Sequence, residues 1–180
     1  LNKIAIVGPQ EDKWTEEQKI KAKLKIAKIL IDAMPQEELN STGLDYTKVI
    51  LISGHCPKGG VDIWAEEIAD NLSVKKLIYK PEVNQWEDKL LDDLKGGEFV
   101  AYGYKSRNIK IAENCDVLYC IVPKVLSVTT DKSDYKYCRH CNSFSHPTNG
   151  GCWTLKYCKK IGKASHLVII VSDGEENSSR

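Results

Sequence analysis

Cys138, Cys141, His146 and Cys152 stand in the spacing C-x2-C-x4-H-x5-C. A C-x2-C turn with a returning His and Cys supplies four soft or borderline donors that can converge tetrahedrally, which is the set zinc takes. Four protein donors leave no position open for water, so a zinc here is structural and serves to pin a long loop. Two substitutions within the set are open. His140 could stand in for His146, and Cys158 could stand in for Cys152. His146 is preferred, because His140 lies between two neighbouring cysteine ligands and would point outward.

A second constellation suits anion binding. Lys48 to Ser53 is a short β-branched apolar run that ends in Gly54, with Pro57, Gly59 and Gly60 close behind. Val61, Trp64, Ala65, Ile68, Ala69 and Leu72 then recur at intervals of three or four, the spacing of a helix with one face in a core. A strand, a glycine-rich turn and a helix N-terminus bring unpaired N–H groups and the positive end of the helix dipole to one point. Asp62 falls in the first turn of that helix, as a dipole partner or a ligand contact. Arg107 is one of three arginines, with Arg139 and Arg180, so the residue best shaped for bidentate phosphate binding is scarce here and its placement at a helix start gains weight.

These residues need strands and helices to position them. Lys3 to Val7 reads as a first strand stopped by Gly8-Pro9. Ile20, Leu24, Ala27, Ile31 and Met34 then read as the inner face of a helix whose lysines, such as Lys21 and Lys25, form a solvated side, and Pro35 stops it. A polar connection, Gln36 to Tyr46, leads to the second strand. Lys76 to Tyr79 reads as a third strand, Trp86 to Leu94 as a helix ended by Gly96-Gly97, and Tyr104 to Asn114 as a helix with Ile109 and Ala112 inward. Asp116 to Val122, flanked by Cys115 and holding Cys120 as packing residues, reads as a buried fourth strand. Gly151 to Ile161 reads as a helix, His166 to Val171 as a fifth strand, and Ser172 to Arg180 as a frayed end.

Strands alternating with helices predict an α/β fold, a Rossmann-like three-layer sandwich with a mostly parallel five-stranded sheet. We expect a single domain over residues 1–180, with a zinc-binding insert over about residues 124–152. In such sheets ligands sit beyond the carboxyl ends of the strands where strand order reverses. That locates Gly8 and Pro9, Ser53 to Asp62, the region of Arg107 and the loop after Val122.

The chain resembles the SLOG superfamily of Rossmann-like nucleotide-binding proteins, which includes the DprA and Lonely-guy groups. The resemblance rests on Ile6-Val7-Gly8 after the first strand, and on Ser53-Gly54, Gly59-Gly60-Val61-Asp62 and Trp64-Ala65-Glu66-Glu67 after the second. Arg107-Asn108, Asp116 and Gly150-Gly151 complete it. It implies a site for a nucleotide or nucleotide-derived ligand formed by Gly8, Ser53, Gly54, Gly59, Gly60, Asp62, Arg107, Asn108, Gly150 and Gly151. Lonely-guy phosphoribohydrolases carry Pro-Gly-Gly-x-Gly-Thr with a following glutamate. Here the turn is Gly150-Gly151-Cys152-Trp153-Thr154, followed by Leu155, Lys156 and Tyr157, and the glutamate is absent. Glu66, Glu67 or Asp62 would have to serve in its place. The cysteine insert resembles a zinc knuckle, with one residue more before the last cysteine.

Three functions follow: a nucleotide-binding sensor or processing protein, an N-glycosidic-bond hydrolase or transferase acting on nucleotides or nucleosides, and a single-stranded nucleic-acid-binding module using Phe144 and Trp153 for stacking. A net charge of +1 makes nucleic acid the weakest of these partners. No apolar run reaches the roughly 18 residues that span a bilayer, and Leu1 to Pro9 reads as a strand rather than a signal-peptide core, so we expect a cytoplasmic protein with no membrane partner. The seven cysteines suit thiols and metal ligands better than a disulfide framework, and the sequence leaves room for a homo-oligomer.

Overall fold

The computed structural model describes residues 2–34, 48–92, 98–125 and 130–173. The readings that place a helix stop at Pro35, a connection at Gln36 to Tyr46, a helix end at Gly96-Gly97 and a frayed end beyond residue 173 fall outside the described residues.

Five short apolar runs form one parallel sheet: β1 (Asn2–Val7), β2 (Val49–Ser53), β3 (Lys75–Ile78), β6 (Val117–Pro123) and β7 (Ala164–Ile170), in the order β3-β2-β1-β6-β7. The central strands are buried on both faces, and their alternation divides the core in two. Ile4 and Ile6 join Leu51 and Ile121 under α1 (Glu16–Asp32) and α2 (Val61–Asn71). Ala5 and Val7 join Ile52, Leu118, Cys120 and Val122 under α3 (Tyr104–Asn114) and α4 (Gly150–Lys160). This is an α/β fold of three layers, as the alternation of strands and helices predicts. The winding reverses between β1 and β6, so the loops that follow these two strands part from each other at the carboxyl edge of the sheet.

Two expectations are corrected. The buried stripe of α1 is Gln18, Ala22, Ile26, Ile29 and Leu30, while Ile20 and Leu24 are 63% and 66% exposed. Both stripes have helical spacing. The polar Gln18 decides between them, because its amide donates to the Lys124 and Ile170 carbonyls and its carbonyl accepts from Thr15 N–H in a capping box. The second correction concerns Trp86 to Leu94. Trp86 lies in a loop, and Lys89–Asp92 is a strand, β4, that pairs antiparallel with β5 (Glu98–Ala101) as a two-stranded sheet apart from the main one. Leu90 and Leu91 pair with Val100 and Phe99 across the ladder, and cross-strand pairing with these β-prone residues overrides the helical spacing of the leucines. In α3 the buried residues are Asn108, Ile111 and Ala112, with Ile109 half-buried. No helix of the described residues is long and apolar enough to cross a membrane.

Candidate functional site

At the carboxyl edge, where β1 and β6 part, lies a cleft of about 680 Å³. Gly8 to Gln10 line it from the end of β1, Asp62 from α2, Arg107 and Asn108 from α3, and Gly150, Gly151 and Trp153 from α4. The backbones approach closely at its floor. A Cβ on Gly8 would lie 2.3 Å from the Ile121 carbonyl oxygen, and one on Gly151 would lie 3.0 Å from the Gly8 backbone. Only glycine lets β1, β6 and the start of α4 meet in this way. Ser53, Gly54, Gly59 and Gly60 are not among the lining residues.

Three helices bring first-turn residues to this cleft, and their N-termini differ. In α2 the Val61 N–H donates to the Pro9 carbonyl at 3.4 Å. In α3 the Tyr104 and Lys105 N–H groups donate to the Gln85 and Trp86 carbonyls at 2.8 and 2.9 Å, and Asp88 accepts from Gly103 N–H and the Ser106 hydroxyl at 2.9 and 2.6 Å. The start of α3 is therefore capped by the preceding chain. In α4 the Asn149 side chain accepts from Cys152 N–H at 3.0 Å, and the first helical residues, Gly150 and Gly151, border the cleft.

Arg107 is held within the protein. Its Nη1 donates to the Gly54 carbonyl at 3.0 Å and lies 3.8 Å from Asp62 Oδ2, its Nε donates to Asn108 Oδ1 at 3.0 Å, and its guanidinium lies over the Tyr104 ring at 5.1 Å. It stands in the fourth position of α3, one turn in from the helix start. Asp62 is 3% exposed, and its Oδ1 has no hydrogen-bond partner among the described residues. Burial pushes its carboxyl up to about 6, against the pull of Arg107 and with a further push from Glu66.

One helical turn on, the buried Glu66 accepts from the Ser53 hydroxyl at 2.6 Å and contacts His55 Nδ1 at 2.7 Å. The His55 N–H in turn donates to Ser53 Oγ at 3.2 Å. Ser53 thus ties down the glycine-rich turn from behind, while Glu67 faces solvent. Cys56, at the cleft, has its thiol pushed up by burial.

Beside the cleft, Cys138, Cys141, His146 and Cys152 form a group that could hold a metal ion, with all ligand atoms within 4.8 Å of one another. Cys138 and Ser143 exchange backbone hydrogen bonds, the Cys138 N–H to the Ser143 carbonyl at 2.7 Å, which folds the C-x2-C segment into a tight turn. Ser145 Oγ lies 2.8 Å from His146 Nδ1 and so aims Nε2 at Cys152 Sγ, 3.3 Å away. The crowded thiols shift one another's hold on their protons. Cys138 is lowered, first by Cys141 and then by Cys152. Cys141 is raised, first by Cys138, and Cys152 first by Cys120, whose Sγ is 3.9 Å away. A cation among them would take over the role of those protons. His140 lines the cleft instead, and Cys158 lies on the buried face of α4 beside Cys115.

Trp86 and Tyr104 also line the cleft, and neither is among the site residues that the sequence motifs single out. Trp86 in particular reaches the cleft from the connection between β3 and β4. A tryptophan in the polar stretch between Pro81 and Lys89 was the available signal. Phe144 packs on Tyr137, with ring centroids 4.8 Å apart.

No family model and no curated protein matches the chain. A solved structure of the molybdenum cofactor carrier protein from Chlamydomonas reinhardtii superposes with a TM-score of 0.51 at 13% identity, covering 96% of this chain and 90% of that one. At that identity the likeness is one of fold, and it extends over nearly the whole chain.

Proposed function

We propose that residues 1–180 form one domain that binds a nucleotide or nucleotide-derived ligand between β1 and β6, as a sensor or processing protein of the SLOG type. The observation that carries this reading is the cleft at the reversal of strand order, floored by the Gly8–Gly151 contact and bordered by the open start of α4. In this reading Gly150 and Gly151 meet an anionic group, Asn108 and Arg107 offer hydrogen bonds, and Asp62 accepts from a donor on the ligand. Ser53, Gly54, Gly59 and Gly60 act one layer away, by holding the turn that carries Asp62. A structural likeness to a protein that carries a small cofactor supports a small-molecule ligand. Free thiols throughout suit a reducing, cytoplasmic setting.

The metal of the insert is zinc in this proposal, bound by Cys138, Cys141, His146 and Cys152 as a closed structural set. Its role is to hold Pro147 to Asn149 against the cleft.

A thermal-shift screen against nucleoside mono-, di- and triphosphates tests the reading. A ligand present at a hundredfold its dissociation constant adds about 2.7 kcal/mol of stability. A flat response across the panel at millimolar ligand refutes nucleotide binding.

One observation favours a second reading, cleavage of an N-glycosidic bond. Asp62 in the cleft, with its carboxyl raised to about 6, is placed as a general acid near neutral pH. Release of free base from a nucleoside monophosphate, lost in Asp62→Asn, would establish it.

A further inference from the structure

We propose that the cleft seats a planar heteroaromatic ring in the corner between Trp86 and Trp153. This deepens the ligand-binding reading above and rests on it. The four tryptophans fall into two pairs. Trp14 and Trp64 are 7% and 3% exposed and meet edge to face in the core at 5.4 Å. Trp86 is 38% exposed, and it lines the cleft together with Trp153.

The indole centroids of Trp86 and Trp153 are 5.1 Å apart with their planes at 81°. Two walls at nearly a right angle let a flat ring stack on one indole while its edge meets the other, and both arrangements are favourable between aromatic systems. Tyr157 stacks parallel on Trp153 at 5.5 Å and 5°, which fixes the plane of that wall. Trp86 is fixed through its main chain, since its carbonyl and that of Gln85 accept the first N–H groups of α3. The indoles pack on each other, and Trp153 packs on Tyr157, so the corner exists before the ligand arrives.

The rest of the cleft says what kind of ring fits. Arg107, Asn108 and Asp62 line the same space. An aliphatic chain would leave Asp62 Oδ1 without a partner, whereas a heteroaromatic ring offers an apolar face to the indoles and a hydrogen-bonding edge to that oxygen. A sugar phosphate without a ring leaves the corner unused. Stacking of a base on an aromatic side chain is worth roughly tenfold to a hundredfold in affinity.

The test uses the full chain with its metal, titrated with AMP, GMP, CMP, UMP and ribose 5-phosphate. Thermal shift reads binding, and tryptophan fluorescence reads contact with the pair that lines the cleft. At least one nucleotide is expected both to stabilise the protein and to quench its fluorescence, with ribose 5-phosphate weaker by at least about tenfold. Trp86→Leu and Trp153→Leu are expected to lose about tenfold or more in affinity for that nucleotide, and Trp86→Phe to retain most of it. Stabilisation without quenching, or equal affinity for ribose 5-phosphate, overturns the ring corner while leaving the ligand-binding reading intact. No stabilisation by any of the five overturns both. Should a leucine variant fail to fold, the unmodified protein still decides between these outcomes through quenching and the ribose 5-phosphate comparison.

Discussion

Two glycine pairs sit at helix starts on the carboxyl side of the sheet, and they differ in what they approach. The turn before α2 spends its glycines on the protein itself. Gly60 has φ +92°, a left-handed conformation, and a Cβ there would lie 2.4 Å from the Pro9 carbonyl oxygen and 2.8 Å from Gln10. The pair that opens α4 divides: a Cβ on Gly151 would lie 3.0 Å from the Gly8 backbone, whereas one on Gly150, at the cleft, would meet only Asn108, at 3.6 Å. A glycine allows close approach, and the sequence does not say whether protein or ligand does the approaching.

The largest expected effect comes from the metal proposed for Cys138, Cys141, His146 and Cys152, beside the second turn. Chelation, or Cys138→Ser, should cost about 4 kcal/mol for a metal present at a thousandfold its dissociation constant, read as a fall in midpoint of thermal unfolding. Elemental analysis should give about one zinc per chain before treatment. Less than half an equivalent, with an unchanged midpoint after chelation, would leave the α4 turn standing without metal and break the contrast.

Gly60→Val tests the first turn. Strain at a left-handed position together with overpacking against Pro9 should cost about 3 kcal/mol. If the variant instead keeps its stability and loses only ligand response, Gly60 faces the ligand and the two turns are alike.

Asp62 belongs to the first turn yet faces the cleft, and its effect is pH-dependent. The folded carboxyl keeps its proton up to about 6 and the unfolded one only to 3.8, so the native state binds more protons between these values. Stability therefore falls as pH rises through that window and then levels off. Asp62→Asn should flatten this slope and add about 2–3 kcal/mol above pH 6, as measured by denaturant unfolding between pH 4 and pH 8. A variant no more stable at pH 8 would mean that the Arg107 pair outweighs the burial penalty.

The smallest effect on stability should be that of Gly150→Ala. With room for the methyl group and a helix start to occupy, unfolding free energy should change by less than about 1 kcal/mol. Nucleotide affinity, measured by calorimetry, should fall if the backbone there meets the ligand. A large loss of stability would make both turns structural.

The sheet was legible because β-branched apolar runs such as Val49–Ser53 and Val117–Pro123 are buried on both faces and have few other readings. The metal group was legible because C-x2-C spacing constrains geometry locally. What was not legible depended on contacts distant in sequence. Gln18 sets the face of α1 through the Lys124 and Ile170 carbonyls, more than a hundred residues away. The capping of α3 by Gln85, Trp86 and Asp88 likewise removes from its N-terminus the free N–H groups that helix periodicity alone would assign to a ligand. Ser53 and Glu66 read as neighbours of a binding turn, and their hydrogen bond to each other across β2 and α2 is visible only once both elements are placed.

The capping of α3 also bears on how fast a ligand can enter. Because the Trp86 main chain is bonded to the start of that helix, the segment that carries the indole cannot swing aside without breaking the Gln85–Tyr104 and Trp86–Lys105 hydrogen bonds. The mouth of the cleft then opens and closes no more slowly than side chains turn, and association should proceed in one concentration-dependent phase with no later rearrangement. A rapid-mixing trace of ligand uptake should accordingly follow a single exponential whose rate rises linearly with ligand concentration.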